Sequence, residues 1–177
     1  KLELENFMYE HGADGLAFAS IVASGPNAAN PHAIPSDRVV QKGEFVLMDY
    51  GARYRDYNSD MTRTVCLGEP TEEMRAVYDL VQRTHEECAK AIYAGVDGSE
   101  IHELSCKIIG EAGYGDCYGH GLGHGVGIDI HELPVFGRRS NTVGAGSVIT
   151  VEPGVYLPGK FGVRLEDYGV VTERGFE

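Results

Sequence analysis

Four acidic residues stand at matching positions in two similar segments of the chain. The segments are KGEFVLMDYG (42–51) and AGSVITVEPG (145–154), which align in register. Each segment places one acid at the end of an apolar run, and a second acid follows after a turn. The four acids are Asp49, Asp60, Glu152 and Glu166. Because a carboxylate at the end of a core strand is unfavourable unless it has a partner, the repeat predicts a site with a chemical purpose.

Each repeated segment has the pattern of a β-hairpin. We expect the first hairpin to turn at about Tyr54 and Arg55 and the second near Gly159, so that each acid faces its partner across two strands. Four carboxylates that converge would raise one another's pKa values, and a pair of divalent cations would cancel the charge. A solvated turn or a salt bridge explains any single acid, but four acids in repeated register favour a two-metal site.

A glycine-rich run, YGHGLGHGVGIDIHELP (118–134), supplies three imidazoles: His120, His124 and His131. His120 and His124 have the spacing of a helical zinc motif, but the glycines between and around them disfavour a helix, and the run lacks the GxGxxG spacing of a dinucleotide site. Extended backbone that passes close to a ligand is the better interpretation. One histidine can complete a metal shell while the others hold substrate or a developing oxyanion, although each alone could be a structural histidine.

Hydrophobic periodicity predicts the elements that position these residues. The expected helices and strands are a helix at about 2–11, a strand-like run at 16–25, strands at about 44–50 and 59–67, a helix from Thr71 to about Ala94, and a helix at about 99–112 with Ser99 as its N-cap. A helix and a hairpin that occur twice predict an α+β domain, in which helices cover one face of a curved, mainly antiparallel sheet.

Composition narrows the possible functions. The 177 residues carry a net charge of −12 and a pI of about 4.9, without a basic patch, so we expect neither nucleic acid nor an anionic membrane as a partner. The N-terminus does not resemble a signal peptide and no apolar stretch approaches the length of a membrane span. Four cysteines without a CxxC pair indicate reduced thiols, and we therefore expect a cytoplasmic protein.

Four blocks of the sequence resemble the signatures of the pita-bread metallopeptidases (family M24), in particular the Xaa-Pro aminopeptidase and Xaa-Pro dipeptidase (prolidase) branch. The blocks are MDYGARYRDYNSDMTRT, HGLGHGVGIDIHE, VITVEPGVY and GVRLED. The resemblance spans about Ile21 to Thr172 and implies the pseudo-two-fold pita-bread fold. It also implies that residues 1–177 form a single catalytic domain, truncated at its N-terminal end because the family's N-terminal domain and first helices are absent, and that the full-length protein is a homodimer.

The resemblance assigns roles to individual residues. It implies two divalent metal ions, Mn²⁺ first and Co²⁺ or Zn²⁺ as alternatives, held by Asp49, Asp60, His124, Glu152 and Glu166, with Asp60 and Glu166 bridging. It places His32, from NPHAIP, in the substrate site and His120 and His131 near the scissile bond. Glu152 is our candidate to shuttle a proton. Arg164, two residues before Glu166 and on the same strand face, would support the carboxylates.

The implied activity is metal-dependent hydrolysis of the bond between an N-terminal residue and a following proline, in short peptides, by a hydroxide held between the two metals. One alternative is a methionine aminopeptidase, which shares the fold and the ligand types; SDMTRT, GVRLED and the short spacing from Glu152 to Glu166 favour the proline-specific branch. An alternative from another class is a non-catalytic pita-bread module that binds peptide or protein. The presence of all five ligands favours an enzyme over such a module.

Overall fold

The computed structural model describes residues 1–177 as helices packed on four antiparallel sheets, which confirms the α+β prediction. The helices are α1 (Leu2–Glu10), α2 (Glu72–Ala91) and α3 (Gly98–Glu111), with short 3₁₀ helices at Gly25–Ala29 and Gly115–Cys117. The strands are β1 (Gly15–Leu16), β2 (Ile21–Ser24), β3 (Phe45–Tyr50), β4 (Ala52–Tyr54), β5 (Tyr57–Asn58), β6 (Met61–Cys66), β7 (Gly123–Gly125), β8 (Glu132–Phe136), β9 (Val148–Val151), β10 (Gly154–Leu157), β11 (Phe161–Arg164), β12 (Asp167–Thr172) and β13 (Gly175–Phe176).

Two of the sheets carry the repeated halves of the chain. The first half forms the sheet β2-β3-β6, and the second half forms the five-stranded sheet β13-β12-β9-β7-β8 together with the hairpin β10-β11. One isolated β-bridge, between Thr62 and Glu166, links the strands of the two halves where the acids lie. The two acid-bearing segments therefore meet at one junction, as the repeat predicts.

The long helix α2 forms where the sequence predicts it. The Thr71 side chain caps its first turn by accepting the backbone N–H of Met74, and an apolar stripe that includes Val77 and Val81 is fully buried. Helix α3 differs from the prediction, because Asp97 is its N-cap and Ser99 lies inside it. The Asp97 carboxylate accepts the backbone N–H of Ser99, and a carboxylate is favoured at the positive end of a helix.

The second hairpin has the predicted register. Its strands pair about Gly159, with Gly154 opposite Arg164, and Val151 lies opposite Asp167 beyond it. Glu152 and Glu166 fall opposite each other between these two pairs. The prediction for this hairpin is confirmed.

The first hairpin differs from the predicted register. The turn lies at Arg55 and Asp56, both with positive φ, and Tyr54 pairs with Tyr57. Asp49 consequently faces Thr62 instead of Asp60. Because the shift is two residues, Asp60 stays on the same face of the sheet as Asp49 and Thr62.

The predicted strand at 16–25 is interrupted in the structure. Strand β1 joins the small sheet β1-β4-β5, and β2 pairs with β3 in a different sheet. The four cysteines are free, as predicted. No helix of the chain combines the length and the apolar character that crossing a membrane requires.

Candidate metal centre

One cavity of about 340 Å³ collects every candidate site residue. It lies at the junction of the two halves of the chain. The predicted residues that line it are His32, Asp49, Asp60, His120, His124, His131, Glu152, Arg164 and Glu166. Side chains up to 134 residues apart in sequence are thus brought to one place, which is the arrangement that the repeat and the resemblance predict.

Rigid strand ends position the acids. Asp49 lies in β3, and Asp60 directly precedes β6. Glu152 directly follows β9, and Glu166 directly precedes β12, where its backbone N–H donates to the Thr62 carbonyl at 3.1 Å. Strand backbones hold a ligand more precisely than loops do, which explains why the carboxylates occur at the ends of core strands.

Crowding and burial raise the pKa values of the acids. Burial, together with the Glu166 and Asp49 carboxylates, raises the pKa of Asp60 from 3.8 to about 9. Burial and the charge of Asp49 raise the pKa of Glu166 from 4.5 to about 7. The pKa of Glu152 also lies well above its ordinary value, first because of burial and then because of Glu166. Burial and crowding therefore favour the protonated forms of these carboxyl groups unless positive charge compensates them.

His124 presents an unprotonated nitrogen to this cluster. Its Nδ1 lies 2.9 Å from the Gly125 carbonyl, which can only accept, so Nδ1 carries the proton. Burial lowers the pKa of His124, so the ring is neutral. Its Nε2 lies 3.6 Å from Asp60 Oδ2 and 3.4 Å from Glu152 Oε1. When Asp60 and Glu152 are ionised, this lone pair faces two negative charges, and a cation between the three groups would remove the repulsion.

The donor set fits a bound divalent cation. Ligand atoms of Asp60, His124 and Glu166 lie within 4.8 Å of one another. The Oδ1 atom of Asp49 is buried and has no hydrogen-bond partner, which leaves a carboxylate oxygen available as a ligand. Carboxylate oxygens with one imidazole are ligands that several divalent metals accept.

Arg164 binds the acid cluster through hydrogen bonds of its guanidinium group. It is buried, and its Nη2 lies 2.5 Å from Asp49 Oδ2. Its Nε donates to the Thr62 hydroxyl at 3.0 Å, and its Nη1 donates to the Tyr156 hydroxyl at 2.8 Å. The guanidinium thereby holds the Asp49 carboxylate in one orientation.

The sequence interpretation missed Thr62 and Tyr156. The Thr62 hydroxyl donates to the Glu166 carboxylate at 2.6 Å, and Tyr156 joins Arg164 to His120. The period-2 alternation of a strand would have indicated both, since Thr62 follows Asp60 by two residues and Tyr156 follows Glu152 by four.

The other three histidines occupy different environments in the cavity. His120 is internally bonded, since its Nδ1 donates to the Gly121 carbonyl at 2.7 Å and its Nε2 accepts from the Tyr156 hydroxyl at 2.9 Å. Burial lowers the pKa of His120 to about 4, so this ring is neutral. His32 and His131 are exposed at the mouth of the cavity, and the His131 ring packs on that of His124 with centroids 4.3 Å apart.

Comparison with known proteins identifies the family of the chain. The family model of metallopeptidase family M24 matches residues 1–173. The Xaa-Pro dipeptidase of Pyrococcus furiosus is 42% identical over 174 residues, which are 98% of this chain and 50% of that protein. An uncharacterized peptidase of Bacillus subtilis, YqhT, is 42% identical over 98% of this chain and 49% of its own length.

Solved structures share the fold as well as the sequence. An X-Pro aminopeptidase from Thermotoga maritima superposes with a TM-score of 0.96 at 43% identity, covering 98% of this chain and 50% of that one. The prolidase of Pyrococcus furiosus superposes with a TM-score of 0.97 at 41% identity, covering 99% and 52%. The chain thus spans about half the length of the relatives it matches. It has the pita-bread fold and belongs to metallopeptidase family M24.

Proposed function

We propose that residues 1–177 act as the catalytic domain of a metal-dependent exopeptidase that hydrolyses the bond between an N-terminal residue and a following proline. The observation that carries the proposal is the convergence of Asp60, His124 and Glu166 in one cavity with Asp49 and Glu152. A binding module would not need to hold so many like charges in a buried cluster. The relatives named as Xaa-Pro dipeptidase and X-Pro aminopeptidase support the substrate class.

Asp49, Asp60, His124, Glu152 and Glu166 would hold two divalent cations. Bound there, the cations supply Lewis-acid activation of water and of the scissile carbonyl. We propose manganese, with cobalt or zinc as alternatives, because carboxylates and one imidazole suit all three ions.

The proposal assigns the proton transfer to Glu152. Its side chain is 18% exposed, next to the Nε2 of His124. When water attacks the carbonyl carbon, Glu152 accepts the proton that water loses and delivers it to the proline nitrogen as the C–N bond breaks. An amide nitrogen leaves the tetrahedral intermediate readily only as a protonated amine, so this delivery is required.

The exposed histidines orient the peptide. His32 and His131 lie at the cavity mouth without side-chain hydrogen bonds in the chain, so their imidazoles are available to substrate carbonyls and to a developing oxyanion. His120 has both ring nitrogens engaged, so its ring forms part of the cavity wall near the position that we propose for the scissile bond.

A substrate comparison tests the proposal. The Mn²⁺-loaded chain is assayed with Xaa-Pro dipeptides, longer Xaa-Pro peptides and Met-Ala peptides, and we expect cleavage of the prolyl substrates. Cleavage of the methionyl peptide alone would favour the methionine aminopeptidase alternative. Binding of prolyl peptides without cleavage would favour the non-catalytic module.

Paired variants test the role of Glu152 separately from folding. Glu152→Gln removes the proton acceptor and is expected to lower kcat by about 10²- to 10⁴-fold. Glu173→Gln makes the same change at an exposed position near the C-terminus and is expected to leave kcat unchanged. Equal activity of the two variants would exclude Glu152 as the proton carrier. We also propose that the protein forms a homodimer, which a size measurement in solution tests.

A further inference from the structure

One loop of the cavity wall is hydrogen-bonded to a residue that lies far away along the chain. Residues 127–131, here called the wall loop, join β7 to β8 and bring Ile130 and His131 to the cavity. The hydrogen bonds within this stretch are local: the Gly127 N–H donates to the Asp129 carbonyl at 3.1 Å, and the Asp129 N–H donates to the Glu132 carboxylate at 3.3 Å. Local bonds of this kind shape the loop but do not fix its place in the molecule.

Asn58 connects the wall loop to the β4-β5 hairpin by hydrogen bonds. Its backbone N–H donates to the Gly127 carbonyl at 2.8 Å. Its side-chain Nδ2 donates to the same carbonyl at 3.2 Å and to the Ile128 carbonyl at 2.8 Å. No other residue outside the wall loop and the adjoining Glu132 forms a hydrogen bond with residues 127–131. Between the paired strands at its two ends, the loop is thus hydrogen-bonded to the rest of the fold only by Asn58, which lies 69 positions before Gly127.

The hairpin that carries Asn58 is itself well anchored. At its turn, the Arg55 N–H donates to the Asp14 carboxylate at 2.6 Å. At its base, the Ser59 hydroxyl accepts the Ala52 N–H at 2.9 Å and donates to the Ala52 carbonyl at 3.1 Å. The β4-β5 hairpin can therefore act as a fixed support on which the wall loop is held.

We propose that Asn58 is a positioning residue for the substrate side of the cavity. Its amide group holds the wall loop so that the His131 ring stays against the ring of His124 and Ile130 stays in the cavity wall. Both partners of Nδ2 are carbonyls, so the position requires a donor. The consequence for catalysis rests on the proposed peptidase function, whereas the consequence for the loop does not.

Two substitutions separate this role from a general effect on folding. Asn58→Asp keeps the shape of the side chain but sets a carboxylate oxygen against two carbonyl oxygens, and Asn58→Ala removes the side-chain bonds while keeping the backbone bond to Gly127. Asn6→Asp is the matched control, because it makes the same change on the exposed face of α1.

Hydrogen–deuterium exchange tests the loop first. In the metal-free chain we expect the peptide covering 126–132 to exchange about tenfold faster in both Asn58 variants than in the wild type or Asn6→Asp. Exchange in α2 is expected to stay unchanged. Unchanged exchange at 126–132 in both Asn58 variants would overturn the proposal, and so would a uniform increase across the whole chain.

Kinetics and metal binding test the consequence. With Mn²⁺ bound, we expect kcat/KM for Xaa-Pro peptides to fall by about tenfold or more in both Asn58 variants. The Mn²⁺ dissociation constant, measured by calorimetry, is expected to remain that of the wild type, because the five ligands are untouched. Faster loop exchange with unchanged kcat/KM would overturn the positioning role. Absence of peptidase activity in the wild type would contradict the proposed function and leave the exchange result to decide whether Asn58 holds the loop.

Discussion

Thr62 and Glu166 join the two halves of the molecule through a pair of hydrogen bonds. The Glu166 N–H donates to the Thr62 carbonyl at 3.1 Å, and the Thr62 hydroxyl donates to the Glu166 carboxylate at 2.6 Å. The same hydroxyl accepts from Arg164 Nε at 3.0 Å. A buried threonine thus orients one proposed ligand directly and contacts the arginine that holds another.

Thr62→Val removes this hydroxyl with little change in shape. We expect the Mn²⁺ dissociation constant to rise by about 10- to 100-fold, because the Glu166 carboxylate loses the donor that orients it. Titration calorimetry measures the change. Thr84→Val is the control, since the Thr84 hydroxyl is buried and bonds only the Leu80 carbonyl within α2. Wild-type Mn²⁺ affinity in Thr62→Val would show that this bond does not position the ligand.

Tyr156→Phe tests the hydrogen bonds that link Arg164, Tyr156 and His120. The Tyr156 hydroxyl accepts from Arg164 and donates to His120, so the variant leaves a buried guanidinium N–H without its acceptor. We expect the free energy of unfolding to fall by about 1–3 kcal/mol in urea denaturation. Tyr78→Phe, in a half-buried ring beside Phe45, is expected to change it by less than about 0.5 kcal/mol. An equal decrease in the free energy of unfolding for the two variants would show that the hydrogen bonds of Tyr156 with Arg164 and His120 do not stabilise the fold.

The acid cluster makes the stability of the metal-free protein depend on pH. The pKa of Asp60 is raised in the folded state, so the folded chain binds more protons than the unfolded chain between pH 3.8 and about 9. The free energy of unfolding of the metal-free protein is therefore expected to receive a contribution that falls as pH rises through this range. Mn²⁺ replaces the protons as a source of positive charge and should weaken or reverse this trend.

Thermal unfolding with EDTA and with Mn²⁺, at a series of pH values, measures this effect. We expect the difference in Tm between the two conditions to grow as pH rises. A difference in Tm that is independent of pH would show that protons and metal do not compete for the same carboxylates.

Asp97 rather than Ser99 is expected to control the start of α3. Hydrogen bonds, first from the Ser140 hydroxyl and then from Ser99, lower the pKa of Asp97 to about 2. Its stabilisation is therefore complete above its unfolded pKa of 3.8 and is lost as pH falls through about 2. We expect Asp97→Ala to lower Tm at neutral pH more than Ser99→Ala does, with the gap closing in acid. A larger decrease in Tm for Ser99→Ala than for Asp97→Ala would show that Ser99 is the N-cap.

The sequence predicted the elements of the fold better than their registers. The apolar run that ends at Asp49 and the stripe of α2 follow from side-chain periodicity alone, and both are present. The predicted register of the first hairpin was wrong by two residues. Its turn uses Arg55 and Asp56 at positive φ, where short hairpins usually have asparagine or glycine, so the sequence contains no clear turn signal there. The wrong N-cap of α3 has a similar origin, since Asp97 and Ser99 are both good capping residues and only tertiary contacts decide between them.

The residues of the candidate site were likewise predicted only in part. The four acids could be predicted because carboxylates that end apolar strand runs are conspicuous in a sequence, whereas His124 was singled out among the three histidines only by the family resemblance. Thr62, Tyr156 and Asn58 were missed because threonine, tyrosine and asparagine are ordinary residues in strands and turns. Strand alternation places Thr62 and Tyr156 on the same faces as the acids, but the partners of all three residues lie far away along the chain, so their hydrogen bonds appear only in the tertiary fold.

Anomalous diffraction from crystals of the chain grown with Mn²⁺ tests the central claim most directly. We expect two peaks about 3.5–4 Å apart, surrounded by Asp49, Asp60, His124, Glu152 and Glu166. Peaks elsewhere on the molecule, or saturating Mn²⁺ with no peak among these five side chains, would contradict the account.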